Sequence, residues 1–286
     1  MTADLETRLA TLRALLGRVD SALVAFSGGV DSSFLLRVAH EVLGPRCLAL
    51  TTVSAATPEH DLVAARQLAA ALGVEHLVVP TDELAVPGYA ENPVDRCYFC
   101  KDNLFVLCRG EADRRGIAVV VDGANRDDLG DHRPGLDAAS AHGIRHPLIE
   151  AGLDKADVRT ASRALGLPTW DRPASPCLSS RFPYGTRITL ERLGQIGRAE
   201  RVLRDLGLRE LRVRWHDGAA RIEVLPDDMS VVLAHRAAIV DALRGLGFTA
   251  VGLDLQGFRS GSLNEGLPRQ THKGPGAETA PAPRLR

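Results

Sequence analysis

Apolar residues between positions 21 and 149 follow two alternating patterns. Short uninterrupted apolar runs predict buried strands at 22–26, 47–53, 76–80 and 117–122. Apolar residues at helical spacing predict helices between them at 33–43, 59–72 and 102–115, and one amphipathic helix precedes them at 1–17. Strands that alternate with helices in this way are typical of a doubly wound parallel sheet. The first part of the chain is therefore expected to be an α/β domain.

The pattern changes after residue 167. Residues 168–188 are rich in Pro, Ser and Gly and show no periodicity, which predicts an ordered loop or hinge. The elements expected beyond it are a helix, two strands, a helix and a strand, at 189–206, 208–216, 219–225, 229–247 and 249–255. This order predicts a smaller C-terminal α+β domain with an antiparallel sheet. We therefore expect a first domain at 1–167, the hinge, a second domain at 189–266 and a disordered tail at 267–286.

The composition restricts the classes of function. The chain has 286 residues, of which 45% are hydrophobic, and its net charge is −1. This content is enough for a large core, and the charge balance gives no general attraction to nucleic acid or to a membrane surface. No segment approaches the roughly 20 consecutive apolar residues that span a bilayer. We expect a cytoplasmic protein with a local site for a small molecule, in which the five cysteines form no disulfides.

The segment SGGVDS, residues 27–32, lies between the first predicted strand and the helix that follows it. Unpaired backbone N–H groups and the positive end of the helix dipole favour an anion at such a junction, and glycine lets a phosphate approach the backbone closely. The Walker pattern GxxxxGK[ST] and the dinucleotide pattern GxGxxG are both absent from the loop. Because ligands bind at the carboxyl ends of parallel strands, we expect this loop and residues 122–128 to lie together.

SGGVDS resembles the signature of the PP-loop ATP pyrophosphatases, which split ATP into AMP and pyrophosphate while adenylating a carbonyl oxygen. The resemblance implies that Ser27, Gly28, Gly29 and Ser32 surround the pyrophosphate and that Asp31 binds the Mg²⁺ that neutralises it. A site of this kind works mainly by positioning the phosphates and stabilising their charge. The loop leaves the nucleophile open, since enzymes of this superfamily make amides, ureas or thiolated products.

Three of the cysteines stand apart from the other two. Cys97 and Cys100 form the motif RCYFCK and Cys177 lies in the hinge, whereas Cys47 and Cys108 are expected to pack in a strand and a helix. A Cys-x-x-Cys pair alone fits half of a zinc site, a redox pair or coincidence. No second pair with zinc spacing occurs. Three cysteines without a fourth also fit an iron–sulfur cluster in which one iron binds another ligand.

Six motifs together resemble the LarE family of ATP-dependent sulfur transferases, which act in the synthesis of the nickel-pincer cofactor. They are SGGVDS (27–32), NPVDRCYFCK (92–101), DGANRDD (122–128), RPASPCLSSRFPYG (172–185), RVRWHDGAARIEV (212–224) and GFRSGSLNEG (257–266). The resemblance extends from about residue 5 to residue 266. It implies that ATP and Mg²⁺ are used to adenylate a carboxylate of pyridinium-3,5-biscarboxylic acid mononucleotide, which then becomes a thiocarboxylate. It also implies a homo-oligomer.

Two sulfur sources are known in this family, and the resemblance assigns residues to each. In the first, Cys177 attacks the adenylate, loses its own sulfur and becomes dehydroalanine. In the second, this cysteine and the RCYFCK pair hold a [4Fe-4S] cluster from which a sulfide is delivered. Because all three positions are cysteine here, we expect the cluster, with Cys97, Cys100 and Cys177 as ligands. The sacrificial use of Cys177 is the alternative.

Further charged and polar residues match positions of the family's motifs. Lys101 is one of three lysines among 35 basic residues, so a compact ammonium is expected to bind the nucleotide phosphate or the pyrophosphate there, and a solvated lysine is the alternative. Arg181 follows Cys177 by four residues, where a guanidinium would favour a thiolate or bind a phosphate. The other candidates for nucleotide, Mg²⁺ or substrate phosphate are Asn125, Asp127, Asp128, Arg212, Arg214 and Arg259. Turn formation is the alternative for the 125–128 residues, and a solvated strand face is the alternative for Arg212 and Arg214.

Other functions compete with sulfur transfer. An amidotransferase or NAD synthetase-like enzyme needs ammonia, and the chain offers no segment of glutaminase size. A tRNA thiolase needs a basic surface for RNA, and the net charge of −1 argues against one. A nucleotide-binding regulatory module would not turn ATP over. The sequence alone does not decide among these alternatives.

Overall fold

A computed structural model of the protein describes residues 2–130, 134–259 and 261–264. The helices in these residues are α1 (Ala3–Gly17), α2 (Val30–Leu43), α3 (Glu59–Leu72), α4 (Arg96–Arg115), α5 (Pro134–Ala141), α6 (Pro147–Glu150), α7 (Lys155–Ala164), α8 (Leu190–Asp205), α9 (Met229–Ala234) and α10 (Arg236–Gly245). The strands are β1 (Ala22–Ala25), β2 (Cys47–Val53), β3 (Glu75–Pro80), β4 (Val119–Val121), β5 (Leu211–His216), β6 (Ala219–Val224) and β7 (Ala250–Leu253).

The first sheet contains four parallel strands in the order β3-β2-β1-β4. Ala22 of β1 pairs with Cys47 of β2 on one side and with Val119 of β4 on the other. The chain therefore builds outward from β1 through β2 to β3 and then returns to the opposite side of β1. Such a reversal opens a crevice at the carboxyl ends of β1 and β4, where ligands bind in open α/β sheets. The prediction of a parallel sheet is confirmed.

Helices cover both faces of this sheet. Successive side chains of β1 alternate, so Ala22 and Val24 face a core shared with α1, α2, α3 and α7. Leu23 and Ala25 face a second core shared with α4 and α5. All four side chains are buried, and burial on both faces explains why the strand is an uninterrupted apolar run in the sequence. The expected doubly wound arrangement is confirmed.

Several helices differ from the sequence prediction. The sequence pattern does not predict α5, α6 or α7, and α5 and α6 have only 8 and 4 residues, too few for a clear period. The start of α7 does carry a sequence signal, since Asp154 and Asp157 form a capping box. Helices α2 and α4 begin earlier than predicted, at Val30 and Arg96. The SGGVDS loop and the RCYFCK motif therefore both run into the first turns of helices.

The second sheet contains β5, β6 and β7 in that order. Strands β5 and β6 form an antiparallel hairpin, but β7 pairs with β6 in parallel, so the expected antiparallel sheet is corrected to a mixed one. The cause is the connection, because α9 and α10 lie between β6 and β7 and carry the chain back to start the next strand in the same direction. The single helix expected at 229–247 is divided at His235.

The core of the C-terminal half extends into the first half. Its buried residues come mostly from α8, β5, β6 and α10, and Ala56 and Tyr89 belong to the same cluster. The expected domain boundaries around the hinge stay predictions, and the expected disordered tail at 267–286 lies outside the described residues. Among the described helices, none combines the length and the apolar character needed to cross a membrane.

The two glycines of the SGGVDS loop differ in their backbone and surroundings. Gly28 has a φ of 73°, in the left-handed region, and a Cβ there would lie 2.9 Å from the Cβ of Ala65 on α3. Gly29 has a φ of −75°, and the nearest atom to a Cβ there would be Ser27 Oγ at 3.4 Å. Only Gly28 is therefore required by both conformation and packing.

We expect Gly28→Ala to lower the free energy of unfolding by about 2 kcal/mol or more, since a left-handed non-glycine residue alone costs of order 1–3 kcal/mol. The contact with Ala65 adds to this cost. Gly29→Ala is the matched control and should cost no more than about 1 kcal/mol, because alanine is a poorer helix N-cap than glycine but needs no left-handed backbone here. Equilibrium unfolding in urea measures both values, and equal losses in the two variants would contradict the assignment.

Candidate active site

The SGGVDS loop places polar groups around the N-terminus of α2. Gly29 is the residue before the helix, and none of the described side chains caps the helix there. Asp31 lies in the first turn of the helix, and the hydroxyls of Ser27 and Ser32 lie 3.0 Å apart at its start. The backbone N–H groups of the first turn and the helix dipole favour a bound phosphate at this point. The predicted junction of strand, loop and helix N-terminus is confirmed.

The loop after β4 lies directly beside the SGGVDS loop. A Cβ at Gly123 would lie 2.8 Å from the backbone nitrogen of Ser32, so the two backbones are in close contact. Asn125 donates from Nδ2 to Asp31 Oδ1 over 3.2 Å, and Asp128 Oδ2 accepts from the backbone N–H of Asn125 over 2.9 Å. The expectation that the two loops lie together is confirmed.

Carboxylates from both loops line one cavity of about 400 Å³. We call it the acidic cavity, and it contains Asp31, Asp127 and Asp128. Lys155, the first residue of α7, forms an ion pair with Asp31, and its backbone N–H donates to Asp127 Oδ2 over 3.1 Å. Carboxylate oxygens are the donors that Mg²⁺ prefers. The donor set therefore fits the predicted magnesium, whose binding by Asp31 stays a prediction.

A larger cavity, of about 530 Å³, brings the loop and two of the cysteines together. We call it the thiol cavity, and its lining includes Ser27, Asp31, Ser32, Cys100, Lys101 and Cys177. These residues come from the β1–α2 loop, from α4 and from the hinge, which are distant in sequence. The predicted ATP-binding loop and the predicted sulfur-bearing residue therefore face the same space.

Lys101 belongs to a charged wall of the thiol cavity. Its Nζ lies 5.4 Å from the ring centroid of Phe105. Burial alone would raise the pKa of the Asp122 carboxyl, but a hydrogen bond with His146 and the charge of Lys101 bring that pKa below its usual value. His146 Nδ1 lies 2.6 Å from Asp122 Oδ1. That Lys101 binds a phosphate stays a prediction.

The three candidate cysteines differ in exposure. Cys97 is exposed, whereas Cys100 and Cys177 are partly buried. Burial, with a smaller contribution from the neighbouring Cys177, raises the pKa of the Cys100 thiol to about 12, so Cys100 keeps its proton at neutral pH. Iron–sulfur clusters are held by thiolates. Among the described residues, no three or more His, Cys, Asp or Glu side chains, those of the acidic cavity included, are grouped closely enough to hold a metal ion by themselves. The donor type fits a cluster, and the ligand set stays a prediction.

Arg181 is buried and its guanidinium is engaged by internal partners. It donates from Nε to Glu200 Oε1 over 2.7 Å and from Nη2 to Glu200 Oε2 over 3.1 Å. It also donates from Nη1 to the carbonyl oxygen of Pro176 over 2.9 Å. The geometry supports an anchoring role, in which Arg181 ties the backbone just before Cys177 to α8. Its expected action on a thiolate or a phosphate stays a prediction.

Arg214 is also neutralised within the protein. Its Nε donates to Glu223 Oε1 over 3.0 Å, its Nη1 to the carbonyl oxygen of Ser180 over 2.6 Å and its Nη2 to Ser262 Oγ over 2.8 Å. All three nitrogens are therefore occupied. Arg212 and Arg214 are both buried, so the alternative of a solvated strand face is wrong.

Arg212 has neutral partners instead. Its guanidinium stacks 4.4 Å from the ring centroid of Phe258 and donates to the carbonyl oxygen of Arg259 over 3.2 Å. Burial, followed by repulsion from Arg214 and Arg181, lowers its pKa to about 10. Among the described residues no carboxylate forms a salt bridge with Arg212, although Glu223 and Glu200 are near enough to offset part of this lowering of its pKa.

Arginines line two further cavities. The arginine cavity, of about 420 Å³, is lined by Arg212 together with Arg172, Arg204 and Arg209. A neighbouring cavity of about 520 Å³ includes Arg181, Arg214 and Arg259. Guanidinium groups in such concave surfaces favour phosphate or carboxylate groups.

Three residues of these cavities were not predicted from the sequence. Lys155 has the same signal as Lys101, because lysine is scarce in this chain. Asp61 and Glu83 are buried carboxylates that line the thiol cavity, and burial raises the pKa of Glu83. Both lie in the first turns of helices, where acidic residues are common for electrostatic reasons. The sequence alone therefore does not distinguish Asp61 and Glu83 from the acidic residues that are common at helix starts.

Comparisons with known proteins agree with this geometry. Residues 13–127 match the family model described as asparagine synthase. An uncharacterized protein of Synechocystis sp. is 45% identical over 93% of this chain and 100% of its own length. The pyridinium-3,5-bisthiocarboxylic acid mononucleotide synthase of Lactiplantibacillus plantarum is 38% identical over 93% of this chain and 97% of its own length. An uncharacterized protein of Methanocaldococcus jannaschii is 29% identical over 83% of this chain and 90% of its own length.

The second of these relatives extends over nearly the whole of both chains, and the loop that the fold places at the switch point is a PP-loop. The protein therefore belongs to the LarE family of ATP-dependent, sulfur-transferring enzymes.

Proposed function

We propose that this protein uses ATP and Mg²⁺ to adenylate a carboxylate of pyridinium-3,5-biscarboxylic acid mononucleotide and then replaces the activated oxygen with sulfur. The observation that carries the proposal is the shared lining of the thiol cavity by the PP-loop, Cys100 and Cys177. The name of the Lactiplantibacillus relative, a synthase of the bisthiocarboxylic acid, supports this substrate. A cytoplasmic location and a homo-oligomeric state remain predictions that accompany it.

The first step is adenylation of the carboxylate. The first-turn N–H groups of α2 and the hydroxyls of Ser27 and Ser32 would bind the phosphates that leave as pyrophosphate. Asp31, with Asp127 and Asp128 nearby, would hold the Mg²⁺, which supplies positive charge to the phosphate oxygens. Lys155, which forms an ion pair with Asp31, would bind the pyrophosphate through its ammonium group. The substrate carboxylate oxygen attacks the α-phosphorus, and pyrophosphate leaves.

The second step needs a sulfur nucleophile beside the acyl-adenylate. The Cys177 thiolate would attack the carbonyl carbon and displace AMP, which forms a thioester. In the sacrificial route a base then removes the proton from the Cα of Cys177, and the Cβ–S bond breaks. The products are a thiocarboxylate and a dehydroalanine at position 177. Each protein chain donates one sulfur in this route.

A second sulfur source is supported by the surroundings of Cys100. This thiol lines the same cavity as Cys177 and interacts with it electrostatically, although the sacrificial route requires only one cysteine. Cys97 lies one helical turn before Cys100 on α4. The three residues would hold a [4Fe-4S] cluster, which supplies a sulfide on its remaining iron. Cys97 and Cys100 distinguish the two routes, because the cluster route requires them and the sacrificial route does not.

The phosphate of the mononucleotide substrate is best matched by Arg212. This guanidinium is buried against neutral partners, whereas Arg214 is already paired with Glu223. The arginine cavity, which Arg212 lines, shares Asp61 and Ser175 with the thiol cavity. A substrate bound through its phosphate at Arg212 would therefore have its pyridinium end near the thiols.

The adenylation step predicts pyrophosphate release that depends on the substrate. Incubation of the purified protein with MgATP and the biscarboxylic mononucleotide should release pyrophosphate and form a thiocarboxylate, detected by mass. Without the mononucleotide, pyrophosphate release should fall to background, because no acceptor carboxylate is present. A protein that binds ATP but releases no pyrophosphate with this substrate would contradict the proposed function.

The sulfur source predicts one of two distinct signals. If the cluster operates, anaerobically purified protein should show the visible absorption of an iron–sulfur centre, and Cys97→Ala should remove it while Cys47→Ala should not. If the sacrificial route operates, the intact protein after turnover should be lighter by the elements of hydrogen sulfide at Cys177. A colourless, metal-free protein excludes the cluster, and an unchanged mass after product formation excludes the sacrificial route.

Arg212→Gln should raise the KM for the mononucleotide at least about tenfold, since a hydrogen bond to a charged group contributes about 1.5–3 kcal/mol. The kcat should change much less. Arg236→Gln, an exposed residue of α10, controls for the loss of one positive charge. Arg214→Gln should instead lower Tm, because it leaves the buried Glu223 without its main partner. An unchanged KM in Arg212→Gln would contradict the assignment of the phosphate.

A further inference from the structure

Residues 172–177, which we call the thiol segment, are attached to α3 by one buried carboxylate. Asp61, in the first turn of α3, accepts hydrogen bonds from Arg172 Nη2 over 2.5 Å and from Ser175 Oγ over 2.6 Å. Both donors belong to the thiol segment and precede Cys177. The Asp61 side chain is 12% exposed and that of Arg172 is 18% exposed. The ion pair is therefore largely shielded from solvent, which strengthens it.

The same contacts connect the thiol segment to the PP-loop. Arg172 donates from Nη1 to the carbonyl oxygen of Gly28 over 2.9 Å, so one guanidinium bridges Asp61 and the PP-loop. The carbonyl oxygen of Arg172 in turn accepts from Arg159 Nη2 on α7 over 2.9 Å. Because Gly28 also packs against Ala65 of α3, the helix that carries Asp61 contacts the PP-loop in two ways.

Cys177 lies between two attachments to the same part of the chain. Two residues before it, Ser175 binds Asp61. One residue after it, the backbone N–H of Leu178 donates to the carbonyl oxygen of Ala56 over 2.9 Å. Residues 56–61 therefore hold the backbone on both sides of the thiol. Asp61 and Ser175 also line all three of the thiol, acidic and arginine cavities, so this contact lies where the three cavities meet.

We propose that Asp61 is a positioning residue for sulfur transfer, which holds the thiol segment against the PP-loop so that Cys177 faces the thiol cavity. The proposal rests on the proposed function only in the assignment of Cys177 to the sulfur-transfer step, and both sulfur routes require this residue. Asp61 would act through its hydrogen bonds to Arg172 and Ser175 and not by contact with the reacting carbon. Replacement of Asp61 should therefore impair sulfur transfer but not adenylation, because adenylation does not use Cys177.

The first test measures the position of Cys177 without substrate. In Asp61→Asn the side chain keeps its shape but loses its charge and one acceptor, so its attachment to the thiol segment is weakened. In metal-free protein, where no cluster protects the thiol, alkylation of Cys177 by iodoacetamide, followed by peptide mass, should become at least about fivefold faster than in the wild type, since reactivity follows access and thiolate content. Comparison of the limiting rates at high pH, where the thiol is fully ionised, separates greater access from a shifted pKa.

The second test compares the two half-reactions. Asp61→Asn should lower thiocarboxylate formation at least about tenfold, because displacement of a reacting group by an ångström costs up to a hundredfold in rate. Pyrophosphate release in the presence of the mononucleotide should stay within about threefold of the wild type. Ser175→Ala removes one of the two hydrogen bonds and should show the same pattern with smaller changes.

The matched control is Glu59→Gln. Glu59 lies in the same helical turn as Asp61 and its replacement removes the same charge, but Glu59 is exposed and its ion pair in the described part of the chain is with Arg201. Its alkylation rate and both half-reactions should equal those of the wild type, since exposed ion pairs contribute little.

Each of the other outcomes overturns the proposal. An unchanged alkylation rate in Asp61→Asn means that Asp61 does not hold the thiol segment, and faster alkylation with full sulfur transfer means that the position is not needed. A parallel fall of both half-reactions means that Asp61 serves the ATP site or the fold. If Asp61→Asn does not fold, Ser175→Ala decides by the same criteria. A wild type that releases no pyrophosphate refutes the proposed function, and the alkylation rates still decide whether Asp61 holds the segment.

Discussion

No side chain fits between the loop after β1 and the loop after β4, and the active site depends on that close approach. The parallel order β3-β2-β1-β4 brings the carboxyl ends of these two strands side by side. Gly123 then allows its backbone to contact Ser32, which brings Asn125 within a hydrogen bond of Asp31. The phosphate-binding helix terminus and the carboxylates for a metal ion therefore share one crevice because of strand order, before any side chain contributes.

The buried arginines of the C-terminal half differ in whether they form an ion pair with a carboxylate. Arg181 and Arg214 are each paired with a buried glutamate, which offsets the cost of placing a cation in the interior. These pairs fix the backbone before Cys177 and the wall of the neighbouring cavity. In the part of the chain that the structure describes, Arg212 has no such salt bridge and stacks on Phe258 instead. Two of these buried cations therefore hold the structure together through ion pairs, and the third is the one that we propose for phosphate binding.

The sequence predicted the parts of this protein that depend on local pattern. The apolar runs of β1 and β2 and the helix at Glu59–Leu72 were found because burial on two faces, or on one helical stripe, leaves a clear period. The mixed second sheet was not predicted, because strand direction depends on how α9 and α10 return the chain. Within the site, the motifs identified the loop and the cysteines. The partners of Arg181 and the position of Asp61 depend on contacts across more than a hundred residues or between separate elements, and no local pattern records them.

The contact between Gly28 and Ala65 also constrains how this family can change over time. A larger residue at 65 would push against the PP-loop, and any residue other than glycine at 28 would push against α3. A larger residue at either position alone is therefore unfavourable, and the two positions are expected to be constrained together although 37 positions separate them in the chain. The buried side of α3 must therefore fit the PP-loop as well as the core. Sequences of more distant relatives should retain a small residue at both sites.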